Sequence, residues 1–425
     1  MIGTQLLEKQ ITPAILKHMD HQEDLLYYGP DGAQMLIETL EDTFSFLKSD
    51  VPEHGSKITW KIDGSPAVLA ATDFHGERFV SLKHSWDKGK RFHSENEIDE
   101  AYPDASQKDL ADKLKNLLRY LGMIGIPSDE IWMGDFMFSN EDLIHKRIDG
   151  VDYIIFRPNT VVYAVPESDP LSRRIENADI GIVWHTTYTG SDYENLTKRF
   201  NADVSKLNDI PAVFQSDVNM AFNTILFSKE ESISIDYKMS ALRRTISELA
   251  SDPNYGIIID NKKLVARMQK YKNEIIRNYQ VETGDLFSPE NLIKVMSDEM
   301  DTHIKELSRE TDKARNIKKK KEMISFLESV SKTIDKFYEA QNRCIELKNI
   351  FIEKMESTIG MKMFYQSMSR GYIPCGGEGF VVSDVDGNVA KLVTRIGFSL
   401  ANWQEDIIKG WMSDKRSSSI QASKN

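Results

Sequence analysis

The run Lys57-Ile58-Thr59-Trp60-Lys61-Ile62-Asp63-Gly64-Ser65 alternates in polarity and then breaks at a glycine. Side chains on a strand have a period of two, so Ile58, Trp60 and Ile62 share one face and Thr59, Lys61 and Asp63 the other. Lys61 therefore points away from the apolar side, and Gly64 permits a tight turn that brings backbone close to whatever the lysine meets. Taken alone, K-x-D-G reads equally as a charged hairpin tip; its company has to decide.

Outward from this run the texture is short β-type segments at 57–62, 67–71, 78–83, 131–138, 153–156, 160–165 and 180–184, separated by turn residues. One helix interrupts them, with Leu110, Leu114, Leu117, Leu118 and Leu121 at helical spacing before Gly122. After Gly190 the spacing becomes helical over 241–250, 263–279 and 301–354. The last of these carries Ile324, Leu327, Val330, Ile334, Phe337, Leu347 and Ile350 on one stripe. From Cys375 the β texture returns at 378–383 and 389–393, joined by the turn Asp386-Gly387-Asn388. A sheet that stops and resumes around helices implies an α+β fold with a large inserted α-helical module. The expected division is 1–190 and 371–413 for the sheet domain, 191–370 for the helices, and a disordered tail at 414–425.

The 425 residues carry a net charge of −12, so the whole surface is no electrostatic glove for nucleic acid and any such contact must be local. Local basic stretches are Lys83, His84, Lys88, Lys90 and Arg91, then Lys146 with Arg147 and Arg173 with Arg174; Lys318 to Lys321 reads as a solvated helix face. No apolar run is long enough for a membrane span and the N-terminus lacks signal-peptide order, which suggests a cytoplasmic protein without membrane contact. Cys344 and Cys375 form no C-x-x-C pair, arguing against a disulfide framework or structural zinc. His84, His93, His145 and His185 show no metal-binding spacing and read as surface or hydrogen-bonded histidines. Gly376-Gly377-Glu378-Gly379 lacks the G-K-[ST] ending of a phosphate-cradling loop.

Three more charged residues interrupt apolar strands: Asp135 within Ile131-Trp132-Met133-Gly134-Asp135-Phe136, Glu378 before Phe380-Val381-Val382, and Lys391 between Val389-Ala390 and Leu392-Val393. Ionised groups in such surroundings need partners, either ordinary salt bridges or a ligand. In chain order the set is K-x-D-G, an acid in an apolar strand, E-G-Φ-V-V, and a lysine on the next strand. In this it resembles the covalent nucleotidyltransferases: ATP-dependent DNA ligases, RNA ligases and mRNA capping enzymes. The form K-x-D-G-S is most similar to phage-type RNA ligases, and Ser81-Leu82-Lys83-His84-Ser85 is similar to the strand that follows the nucleophile there.

The resemblance implies a ligase-type adenylation domain with antiparallel sheets. It implies Lys61 as the nucleophile on the α-phosphate of ATP, and Asp135 on the ribose. Glu378, with Asp63, would lie near Mg²⁺ or Mn²⁺, and Lys391 would be a catalytic cation on the α-phosphate. Gly64, Ser65 and Lys83 join the nucleotide-binding set, and Phe156 and Trp184 are candidates to stack on the base. A second cation and a metal favour the neutral, nucleophilic form of a lysine. The expected function is RNA-ligase-like: a lysyl-AMP intermediate, AMP transfer to a 5′-phosphate, and nucleic acid as substrate with RNA favoured over DNA. That points to RNA repair in a host cytoplasm if the chain is phage-encoded.

Departures from the family are an aspartate where the ribose acid is usually glutamate, and a single Lys391 where two alternating lysines are usual. In addition, 243 positions separate Asp135 from Glu378, and the 34 residues after Lys391 are too few for an OB-fold. These leave open DNA nick sealing, AMP transfer to another acceptor, or an inactive scaffold that uses its helices to bind a protein partner.

Overall fold

The computed structural model describes residues 20–49, 56–86, 88–193, 195–200, 202–219, 227–279, 281–358, 361–383, 389–397 and 406–408. The expected turn at 386–388 and tail at 414–425 lie outside the described residues. Among the described residues no helix is long and apolar enough to cross a membrane. The chain is a mixed α/β protein whose sheets are chiefly antiparallel, and it divides into two units.

The first unit spans Ile58–Ala221, Glu356–Val381 and Gln404–Asn425. Its six-stranded sheet runs Thr197–Arg199, Ile180–Thr189, Glu130–Ser139, Ala67–Thr72, Arg78–Leu82 in antiparallel order, with Val213–Asp217 added in parallel to Ile180–Thr189. Alternation fixes its faces. Val68 and Ala70 turn toward the helix Lys108–Ile124, whose Leu114, Leu117, Leu121 and Ile124 cover Trp132, Phe136, Ile182 and Trp184; Leu69, Ala71, Ile131 and Met133 turn the other way. Burial of this kind stabilises at about 25 cal/mol per Å² of apolar surface. The helix runs two residues past the expected Gly122 and stops at Gly125, which adopts the left-handed conformation (φ 73°) that glycine takes at no steric cost. A second, five-stranded antiparallel sheet runs Gly371–Pro374, Lys362–Ser367, Val161–Pro166, Val151–Phe156, Ile144–Ile148. Ile62, Met137, Phe138, Phe156, Tyr163 and Met363 form a further core cluster.

The second unit spans Met1–Lys57, Phe222–Met355 and Val382–Trp403 and is mainly helical. Pro30–Ser49 packs on Lys229–Ala250, and Phe44 stacks on Phe351 of Ser331–Glu356 at 6.1 Å. Ser228 and Glu231 form a reciprocal cap at the start of Lys229–Ala250, and Ser288 caps Pro289–Glu306. Leu327, Val330, Ile334, Phe337 and Leu347 are buried as their spacing requires, whereas Ile324 and Ile350 are half-buried. The stretch 301–354 is not one helix. It breaks at Leu307, which is extended, and again at Val330; Glu310 and Asp312 then sit in a new first turn, where acidic groups favour the helix N-terminus. Asp20–His21 pairs in parallel with Val389–Leu392, setting His21 opposite Lys391.

The expected boundaries at 190 and 370 therefore shift. Thr197–Arg199, Val213–Asp217 and Lys362–Ser367 belong to the sheets, the inserted helices begin at Lys229, and Pro30–Ser49 joins them from the N-terminal side. Thr197-Lys198-Arg199 is an exposed edge strand of polar residues, so it carries no alternation for a sequence reading to find.

Candidate functional site

The strand Lys57–Trp60 leads directly into Lys61, whose backbone N–H donates to Gly379 O at 2.8 Å, while Trp60 N donates to Val218 O at 2.7 Å. These bonds carry the lysine beside a segment more than 300 positions later in the chain. There Lys61 Nζ pairs with Asp63 and lies 3.9 Å from Glu378 Oε2, and Glu378 accepts the Asp63 backbone N–H. Lys61 and Glu378 side chains are 13% and 11% exposed, Asp63 49%, so the acid on the outer side of the turn meets solvent.

Gly64 is required at this turn. A Cβ there would stand 2.3 Å from Phe136 O and 2.7 Å from Asp135 Cβ, inside any real contact distance. Its N–H donates to Asp135 Oδ2 at 3.3 Å, and Ser65 N donates to Phe136 O at 2.9 Å, which fastens the turn across the Asp135 strand. His185 Nε2 stands 3.9 Å from Asp135 Oδ1, and its Nδ1 lies 2.7 Å from Thr186 Oγ1.

Negative charge is in excess here. Burial, then Asp63, and more weakly Asp135 push the Glu378 carboxyl up to about 8, against the opposing pull of Lys61 and the Asp63 N–H. Among the described residues the buried Tyr163 hydroxyl has no hydrogen-bond partner, and its pKa is held well above the usual phenol range by burial and then by Glu378 and Asp63. Carboxylates crowded in this way suit a hard divalent cation. Magnesium typically takes one or two carboxylates and completes its shell with water and phosphate oxygens, so Glu378 and Asp63 fit it. A tighter group of ligand-type side chains, Asp73, Glu77 and His93, closes to within 4.8 Å at a separate hairpin tip.

A cavity of about 1140 Å³ opens immediately past the turn, lined by Ser65, Pro66, Met133, Lys83, Arg157 and Tyr188 among others. Its floor is the face of the six-stranded sheet that also carries Asp135, since Met133, Asp135 and Met137 alternate onto one side. Lys83 lies one residue beyond the end of its strand, at the start of the short helix Lys83–Trp86.

The structure thus joins Lys61, Asp63, Gly64, Asp135 and Glu378, and sets Ser65 and Lys83 on the adjoining cavity. Lys391 lies on Val389–Leu392 in the helical unit. The two aromatic candidates are displaced from the roles expected of them. Trp184 is fully buried beneath the helix Lys108–Ile124, edge to face with Trp132, its indole N–H donating to Gln215 at 3.2 Å. Phe156 is buried between Phe138 and Tyr163, with ring centres at 5.0 and 5.6 Å. Neither offers a free ring face to a base, because inward-facing strand positions in a two-layer fold are claimed by the core. Sequence reasoning set His185 aside and passed over Tyr163; the strand alternation Trp184-His185-Thr186 is the signal that puts His185 on the Asp135 side.

The fold and this turn define a mixed α/β protein with a lysine–carboxylate site beside a deep cavity. A model described as "Family of unknown function (DUF6267)" matches residues 16–406, and the chain belongs to that family. Comparison with curated proteins and with solved structures finds no match.

Proposed function

We propose that the protein is an ATP-dependent nucleotidyltransferase of the polynucleotide-ligase type, with Lys61 as the residue that takes AMP. The observation that carries this reading is the convergence of Lys61, Asp63 and Glu378 on one glycine turn pinned to Asp135, from segments far apart in the chain.

In this reading the Lys61 amine, having passed its proton through Asp63 to solvent, attacks the α-phosphorus of ATP. A P–N bond forms, the bond to the β-phosphate oxygen breaks, and pyrophosphate leaves. Glu378 and Asp63 would hold a divalent ion, which would neutralise charge on the phosphates. Asp135 orients the ribose, with His185 behind it. A 5′-phosphate oxygen then attacks the AMP phosphorus, so that a P–O–P anhydride forms as the P–N bond breaks and frees the Lys61 amine; a 3′-hydroxyl next attacks the 5′-phosphorus, closing the strand as AMP leaves. RNA is the preferred acceptor.

The test is incubation with ATP labelled at the α-phosphate and Mg²⁺ or Mn²⁺, resolved on a denaturing gel beside Lys61→Ala. A label that requires Lys61 and is reversed by pyrophosphate is the expected result. A folded protein that takes no label, or a normal label on Lys61→Ala, removes the reading.

A further inference from the structure

The outer rim of the cavity holds a cation that its neighbours position without neutralising. The Arg91 guanidinium lies 3.7 Å from the Tyr193 ring centre and 4.3 Å from that of Trp86, and both rings line the cavity. The rings meet edge to face at 5.5 Å, with Phe79 behind both at 6.1 and 6.3 Å. Among the described residues no carboxylate pairs with Arg91. It reaches Gly89 O at 3.5 Å, and its Nε is buried without a hydrogen-bond partner among the described residues.

Stacking dehydrates the faces of a guanidinium and leaves its in-plane N–H fork for an oxyanion. An internal strut of this kind ordinarily ends on an acid. Two further cations stand nearby. Lys198 is directly opposite Tyr188 across paired strands, so its side chain emerges on the cavity face. The Lys198 ammonium sits 4.3 Å over the Phe200 ring; desolvation there, and then the Lys83 ammonium, hold it below the usual lysine range, which places two like charges together. Among the described residues neither lysine is paired with an acid. The cavity lining mixes apolar groups, Leu69, Met133, Tyr188 and Leu196 among them, with charged ones that include Asp109 and Asp142.

We propose that this rim is a phosphate clamp for a single-stranded polynucleotide, with Arg91, Lys83 and Lys198 on successive backbone phosphates and the apolar lining sheltering an unstacked base. The alternation of cations with aromatic and aliphatic surface is what a single strand needs. A cavity of this size admits a nucleotide or two but not a paired helix. The clamp deepens the reading above, on which it rests for its role: the strand it grips is the acceptor of AMP.

Binding is measured on the full chain without ATP, by fluorescence anisotropy of a short 5′-phosphorylated, fluorescein-labelled oligoribonucleotide over a salt series, with the matching duplex as competitor. Arg91→Gln and Lys198→Gln are each expected to weaken binding about fivefold or more and to lower the salt slope by about 0.7. If Arg91→Gln fails to fold, Lys198→Gln, on an exposed edge strand, carries the test. Absence of salt-dependent binding, an unchanged slope in both folded variants, or preference for the duplex overturns the clamp. Strand binding by a protein that never labels Lys61 keeps the clamp and removes the ligase reading; labelling of Lys61 without strand binding does the reverse.

Discussion

Two buried glutamates in this molecule meet lysines and respond in opposite directions. In the helical unit, Glu23 is fully buried, bonded to Lys348 Nζ at 2.7 Å and to Arg395 Nε at 2.8 Å, with Lys272 Nζ at 3.7 Å. In the sheet unit, Glu378 meets one lysine and two acids. Burial pushes both carboxyls up. At Glu23, Lys348, Lys272 and Arg395 more than reverse it and hold the group well below the usual range, whereas at Glu378 Asp63 adds to it. A carboxylate enclosed by cations and sealed from water holds elements together; a carboxyl left among acids beside a cavity is arranged for something that arrives.

Substitutions separate the two. The largest effect is on chemistry: Lys61→Ala should cut the α-phosphate label by at least about 10³-fold, as loss of a nucleophile does, with an unchanged far-ultraviolet spectrum. A partly labelled variant would move the nucleophile elsewhere. Next, Glu23→Ala should cost about 3–5 kcal/mol in denaturant unfolding, because it leaves Lys348, Lys272 and Arg395 buried with Asp24 as their remaining acid among the described residues. A loss under 1 kcal/mol would mean that water already enters the Glu23 cluster.

Acid should act on the same cluster. Burial and then Arg395 depress the His21 imidazole, so below about pH 6.5 the unfolded chain takes up a proton that the folded one refuses, and stability falls. Glu23 adds to this lower down: its contribution is present above its unfolded value near 4.3 and is lost as pH falls through its depressed folded value. Melting temperature should therefore decline from about pH 6.5 downward, and His21→Leu should flatten the first part of that decline. A flat profile between pH 7 and 5 would contradict a neutral, buried His21. The smallest effect on stability should come from Glu378→Gln, which keeps an acceptor for the Asp63 N–H and removes the ionisable carboxyl. Stability should shift by no more than about 1 kcal/mol while the label disappears. A destabilisation as large as that of Glu23→Ala would make Glu378 a structural anchor.

The sequence made the Lys61 turn legible because its signal is local: a strict alternation ending in glycine, and acids set within apolar runs. Asp135 and Glu378 follow from the same rule. What it hid is what depends on partners far along the chain. Nothing in Trp184 or Phe156 says which layer claims the ring, since an aromatic on a strand suits a core and a ligand equally. Lys272 and Lys348 sit on amphipathic helices where a lysine usually faces water, and only the arrival of Glu23, 325 positions before Lys348, turns that face inward. Likewise Lys362–Ser367 falls inside the expected helical module at 191–370, and pairing with Val161–Pro166 makes it a strand.

The glycine turn also fixes an order of events during synthesis. Lys61 and Asp63 are made early, but Glu378 lies 315 positions after Asp63 and follows the helical insertion. At the usual pace of about 5–20 residues per second, roughly 15 to 60 s pass before the acid is even translated. Through that interval the nascent chain carries the lysine without the partner that completes its site, so the activity proposed for it waits on the translation of Glu378.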